Sequence, residues 1–202
     1  MANLALSNPK PEHMHKAEAK SVSYSKTTIT ELMIPSYANF GGKIHGGILL
    51  SLIDKVAYAC ASKHAANYCV TVSVDNVDFL EPVEVGDLVH LKASVVYVGN
   101  SSLVVGINVI AENVKEGTLK KTNNSYVTMV AKGENDKPTQ VPELILESQE
   151  EVRLFLEAIK RKELKKDYRQ KVKEVTNMLA DNTPKDLLEG ERCELNLKKF
   201  SL

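Results

Sequence analysis

Tryptophan is absent from the 202 residues, aromatic side chains make up 5%, and cysteine occurs three times, at Cys60, Cys69 and Cys193. An odd count with no CxxC pair excludes a disulfide framework and gives no zinc spacing. Thiols of this kind fit a reduced, cytoplasmic setting. No run of about 20 apolar residues occurs and no apolar stretch opens the chain, so neither a membrane span nor a signal peptide is expected. Charge of either sign is missing in excess: 26 lysines and arginines face 26 aspartates and glutamates, for a net charge of zero. That balance gives no electrostatic case for a nucleic-acid partner. The five histidines are scattered without ligand spacing, so no metal site is expected. Neither a glycine-rich phosphate loop nor a G-x-S-x-G serine nucleophile is present.

What is there suffices for a packed core, since 43% of residues are hydrophobic. Residues 1–21 hold two prolines and no sustained period, and read as an N-terminal arm. A strand follows in "VSYSKTTITELMIP", ending at Pro35. The run from Gly46 to Ala65 is too long for a strand and rich in leucine and alanine, which predicts a helix. Its polar positions Ser51, Lys55, Tyr58 and Ser62 fall on one stripe, with Asp54 at the edge. The rest of this helix is apolar nearly all round.

Beyond the helix the period becomes two. Val70, Val72 and Val74 alternate with Thr71, Ser73 and Asp75, and then Val77 and Phe79 break phase, which predicts a β-bulge at Asp75–Asn76. Three more alternating segments follow, with short connections that favour antiparallel pairing. Strand, helix, four strands is the order of a single sheet wrapped around one helix, an α+β architecture. One sheet cannot cover both its own faces and such a helix, which predicts a partner subunit. Residues 147–180 are heavily charged with a narrow apolar stripe, and read as a helical extension, whole or broken. Residues 181–202 read as a polar tail.

"NFGGKIHGGILLSLIDKVA", then "VTVSVDNVDFLEPVEVGDLVHLKASVVYVGNSSLVV" and "KPTQVPEL", resemble the hotdog-fold acyl-CoA thioesterases, in particular the brain-type acyl-CoA hydrolases and their small bacterial relatives. The match covers about residues 24–146. Each piece alone is short; their order and spacing carry the resemblance. It implies a domain over residues 22–146, an antiparallel sheet wrapped around a long central helix, and a homodimer assembling to a trimer of dimers. The substrate implied is an acyl-CoA. Coenzyme A is then part of the substrate, and no separate cofactor is expected.

The resemblance assigns roles to residues that also have plainer readings. Gly46 and Gly47 open the helix, where free backbone N–H groups and the positive end of the dipole converge. Gly47 N–H is the candidate oxyanion donor; otherwise the pair is a tight turn. Asp54 matches the family's general base or nucleophile, and by its residues alone is a solvated aspartate beside Lys55. Asn39 matches a residue that reaches the opposite subunit's site, and by itself is a turn asparagine. His45 reads as a structural or pocket residue. Thr71, Val72 and Ser73 match the strand that flanks the pantetheine arm. Gly99, Asn100, Ser101 and Ser102 match a turn near the nucleotide end of CoA; relatives often carry a basic residue where Asn100 stands, so the phosphate contact is unassigned, with Lys132 and Lys137 as candidates. Two rival readings are a hotdog hydratase or dehydratase, which would rest on a histidine acid–base such as His45, and a non-catalytic acyl-CoA-binding module.

Overall fold

The computed structural model describes residues 18–75, 77–181 and 185–195. These fall into two compact units that divide between Ala158 and Ile159. In the first unit, β2 (Thr27–Leu32), β3 (Tyr68–Val74), β4 (Leu88–Val98), β5 (Ser102–Asn113) and β6 (Thr118–Lys132) form one sheet in the order β2-β4-β5-β6-β3. Every neighbouring pair in it is antiparallel. Helix α2 (Gly46–Ala65) lies in the curl of this sheet and packs on all five strands.

The alternation in the sequence explains the wrap. Val89, Leu91, Ala93 and Val95 of β4, with Leu103, Val105, Ile107 and Val109 of β5, point inward and are buried. They meet Leu52, Ile53, Val56, Ala57 and Cys60 of α2. Gly106 stands on the opposite face of β5, where an added Cβ would lie 3.1 Å from Val96. Burial pushes the Cys60 thiol up to about 11 and also raises that of Cys69, so both behave as small core hydrophobes.

Several expectations are corrected. The segment "VSYS" is not strand but a single helical turn, α1 (Val22–Ser25). The register shift on β3 falls between Thr71 and Ser73, so the bulged residue is Val72, not Asp75; Asn76 lies outside the described residues. β3 ends at Val74, and Val77–Pro82 is a loop. Of the arm, residues 1–17 lie outside the described residues, while Lys20–Ser21 form β1, which pairs in parallel with β7 (Leu144–Ile145). Neither short strand was foreseen. The extension is one unbroken helix, α3 (Gln149–Asp181), and its first residues, through Ala158, belong to the first unit. There Phe155 packs on Tyr97 with ring centroids 5.0 Å apart. Beyond α3, Lys185–Leu188 form a 3-10 turn.

Candidate active site

The loop from Ala38 to Ile44 closes on itself before α2 begins. Asn39 N–H donates to Lys43 O at 2.7 Å, and Ala38 bridges Ile44. The Asn39 side chain completes the turn: its Oδ1 accepts from Gly41 N–H at 2.9 Å and from Lys43 N–H at 3.2 Å. Gly42 takes a left-handed φ of 77°, which a side chain would resist. An amide whose oxygen is engaged this way presents its NH2 group, so Asn39 can act only as a donor toward a ligand.

His45 is the N-cap of α2. Its backbone is extended (φ −64°, ψ 127°) and its Nδ1 accepts from Gly47 N–H at 3.0 Å. The amide expected to stand free at the first turn is therefore held by the neighbouring ring. Nδ1 accepts, so the ring proton sits on Nε2 in the neutral form. Gly46 is closely covered. A Cβ there would lie 3.3 Å from the Phe79 ring, which is itself 49% exposed.

Phe79 is fixed from both sides by β6. Asp78 O accepts from Asn123 Nδ2 at 2.8 Å, and Leu80 N–H donates to Thr122 O at 3.0 Å. Asn123 is 1% exposed, and its Oδ1 accepts from the buried Ser125 hydroxyl. These two polar residues sit on the inward face of β6, where alternation calls for apolar ones. They were missed in the sequence; polar residues in phase with a core row are the signal that could have found them.

Asp54 is exposed on α2, two turns into the helix, and faces β3. Its Oδ1 accepts from Thr71 Oγ–H at 2.6 Å. The sequence placed Thr71 beside a substrate arm; the structure makes it the hydrogen-bond partner of the carboxylate. Next to it the bulge turns Val72 outward, 59% exposed, and the extra residue stands out of the ladder to β6. β3 is also an edge strand.

The turn from Gly99 to Ser102 joins β4 to β5. Gly99 N–H donates to Ser102 O at 2.8 Å. Its other carbonyls are used within the fold: Ser101 O accepts from Ala131 N–H and Asn100 O from Val141 N–H. Ser102 and Val70 both pair with Val130, so the turn stands two strands, about 10 Å, from β3. Lys132 Nζ is held by Asp136, donating to its backbone carbonyl at 2.8 Å. Within one chain, then, His45 meets Gly47, Phe79 meets Gly46, and Thr71 meets Asp54. Asn39 is committed to its own loop. Among the described residues no group of histidines, cysteines and carboxylates could hold a metal ion. No described helix is long and apolar enough to cross a membrane.

A thioesterase superfamily model matches residues 41–118. Protein VdlD of Helicobacter pylori is 45% identical over 141 residues, 70% of this chain and 80% of its own. An apo-hexameric acyl-CoA thioesterase superposes with a TM-score of 0.73 at 38% identity, covering 75% of this chain and 97% of that one. The acyl-CoA hydrolase of Staphylococcus aureus, solved with butyryl coenzyme A, coenzyme A and coenzyme A disulfide, superposes with a TM-score of 0.71 at 34% identity, covering 80% and 99%. Solved variants of that enzyme replace an asparagine, an aspartate and a threonine by alanine, and these stand 15 and 17 residues apart in order. Asn39, Asp54 and Thr71 stand at the same two intervals.

Proposed function

The chain belongs to the thioesterase superfamily and has its hotdog fold, and from that premise we propose that it hydrolyses acyl-CoA to a free fatty acid and coenzyme A. The hydrogen bond from Thr71 to Asp54 carries this reading. It spends the threonine hydroxyl on one carboxylate oxygen and fixes the rotamer, leaving Oδ2 as the acceptor for a water proton.

The step balances simply. Water attacks the thioester carbonyl carbon while Asp54 Oδ2 takes its proton. The carbonyl oxygen becomes an oxyanion at the N-terminus of α2, where Gly47 N–H is its donor. For that, His45 Nδ1 has to release the amide, so the cap and the oxyanion compete for one N–H. Collapse breaks the carbon–sulfur bond and expels the CoA thiolate. A thiolate is a much weaker base than an alkoxide and leaves without strong acid assistance, and the proton on Asp54 suffices to neutralise it.

Asn39 acts on a second copy of the chain, its NH2 donating to the carbonyl or to the attacking water. The surface beside Asp54 supports a shared site: Leu50 and Tyr58 lie one turn to either side of it on α2, Val72 follows its partner Thr71, and all three are exposed on a single chain. A partner covering them would also desolvate the carboxylate. Backbone groups at the Val72 bulge and at Ser73 hold the pantetheine amides, and the Gly99–Ser102 turn faces the nucleotide end. The assembly is a dimer with two shared sites, grouped as a trimer of dimers, and works in the cytoplasm.

The test is CoA release from a panel of short to long acyl-CoAs, for wild type and Asp54→Ala together. The expected loss in the variant is about 100- to 10,000-fold. Equal turnover by both, or none by wild type on any ester, overturns the proposal.

A further inference from the structure

Beyond Ala158, α3 carries apolar residues in a regular pattern. Leu164, Tyr168, Val172, Val175 and Met178 recur at intervals of four, four, three and three. At 3.6 residues per turn they occupy one arc of about 120°. All five are exposed, Leu164 at 67% and Tyr168 at 68%. The charges beside this stripe are sorted by sign. Glu163, Asp167, Glu174 and Asp181 line one flank; Lys162, Lys165 and Arg169 line the other, with Lys166 and Lys173 behind them. Between Leu164 and Met178, Lys171 is the charged residue inside the arc; one turn before Leu164, Arg161 falls in it as well.

We infer that this stripe is a self-association surface, on which a second copy of the same helix docks in parallel. Orientation follows from the flanks. When identical helices meet stripe to stripe in parallel, about an axis running along them, the acidic flank of each faces the basic flank of the next. An antiparallel pair would set acid against acid and base against base, which is repulsive. Lys171 in the seam costs stability and fixes register, as a lone polar residue in a coiled-coil core does. An anionic bilayer is the rival occupant, since the segment is rich in lysine and arginine. It fits less well, because the acidic row borders the apolar stripe directly and would face the headgroups.

The native mass of the full chain tests this, by sedimentation or light scattering, in three forms. The first is wild type. The second reverses the acidic flank with Glu163→Lys, Asp167→Lys and Glu174→Lys. The third adds Lys162→Glu, Lys165→Glu and Arg169→Glu, so that both flanks are swapped. The expected result is a mass about two- to threefold lower in the second form and restored in the third, with helix content by circular dichroism unchanged throughout. An unchanged mass in the second form overturns the proposal. So does a third form that stays low, since complementarity would then not be the cause. Sedimentation of wild type with phosphatidylglycerol vesicles, strengthened in the second form by its added lysines and returned to the wild-type level in the third, would assign the stripe to a membrane surface instead.

Discussion

The N–H of Gly47 has two claimants, the ring of His45 in the free chain and an oxyanion during turnover. His45→Ala removes the first. The expected outcome is a loss of about 1 kcal/mol in unfolding free energy, the ordinary worth of an N-cap, with kcat retained or raised; denaturant melts and CoA release measure the two. A fall in kcat comparable to that of Asp54→Ala would make His45 part of the chemistry. Thr71→Val is the complementary change. It removes one hydrogen bond to a carboxylate, worth about 1.5–3 kcal/mol, so kcat drops about ten- to a hundredfold with KM little changed. The residue types were legible: asparagine, paired glycines, aspartate and threonine stand where the resemblance needs them. Their partners were not. Spacing does not tell which rotamer His45 adopts, nor that a threonine one strand away turns toward the helix. Asn123 and Ser125 escaped because burial on β6 depends on a loop, Asp78–Leu80, whose path follows from tertiary packing.

Among the elements, α2 was legible to its ends because length, apolar content and paired glycines all agree. β3 was not. Val70, Val72 and Val74 read as one apolar row in alternation, yet Val72 and Val74 are exposed. An edge strand that awaits a second covering surface can be apolar on either face, so alternation cannot place its bulge. The last turn of α2 holds a titratable feature of its own. His64 is fully buried, and its Nε2–H donates to Pro142 O at 3.1 Å. Its Nδ1 has no hydrogen-bond partner among the described residues. Burial pushes its pKa down, since a charged ring would be desolvated there. The unfolded chain therefore takes up this proton first as pH falls. Stability is lost below the ordinary histidine value of about 6.5, down to the lower folded value, and does not depend on this group above it. Melting temperature against pH measures this, and His64→Gln, which keeps a donor for Pro142 O, flattens the slope between those limits. An unchanged slope would place the acid sensitivity elsewhere.

For the whole molecule, a single chain leaves its candidate site open along one edge of the sheet. Val72→Lys puts a charge on that edge without touching Asp54, Thr71 or Gly47. The expected result is a lower native mass together with a fall in turnover of about tenfold or more, recovered in part at high protein concentration. A variant that loses mass but turns over normally would mean that Asn39 serves its own chain. The expectation of a partner rested on one sheet facing a helix apolar nearly all round. That β3 forms an open edge was not legible, because strand order is a property of pairing rather than of pattern.

Lys20 reaches across the fold to the end of α2, where its Nζ donates to His64 O at 2.8 Å and to Lys63 O at 3.3 Å. Those carbonyls are the ones a helix cannot satisfy by itself, and the C-cap residue two positions on, Ala66, has turned left-handed with φ 53°. β1, which holds Lys20 in place, pairs with β7 at the far end of the same unit. The smallest piece that folds with its central helix properly ended therefore starts before Lys20. Proteolytic trimming up to Val22 would unfasten both the helix end and the strand pair while leaving every proposed catalytic side chain in the chain.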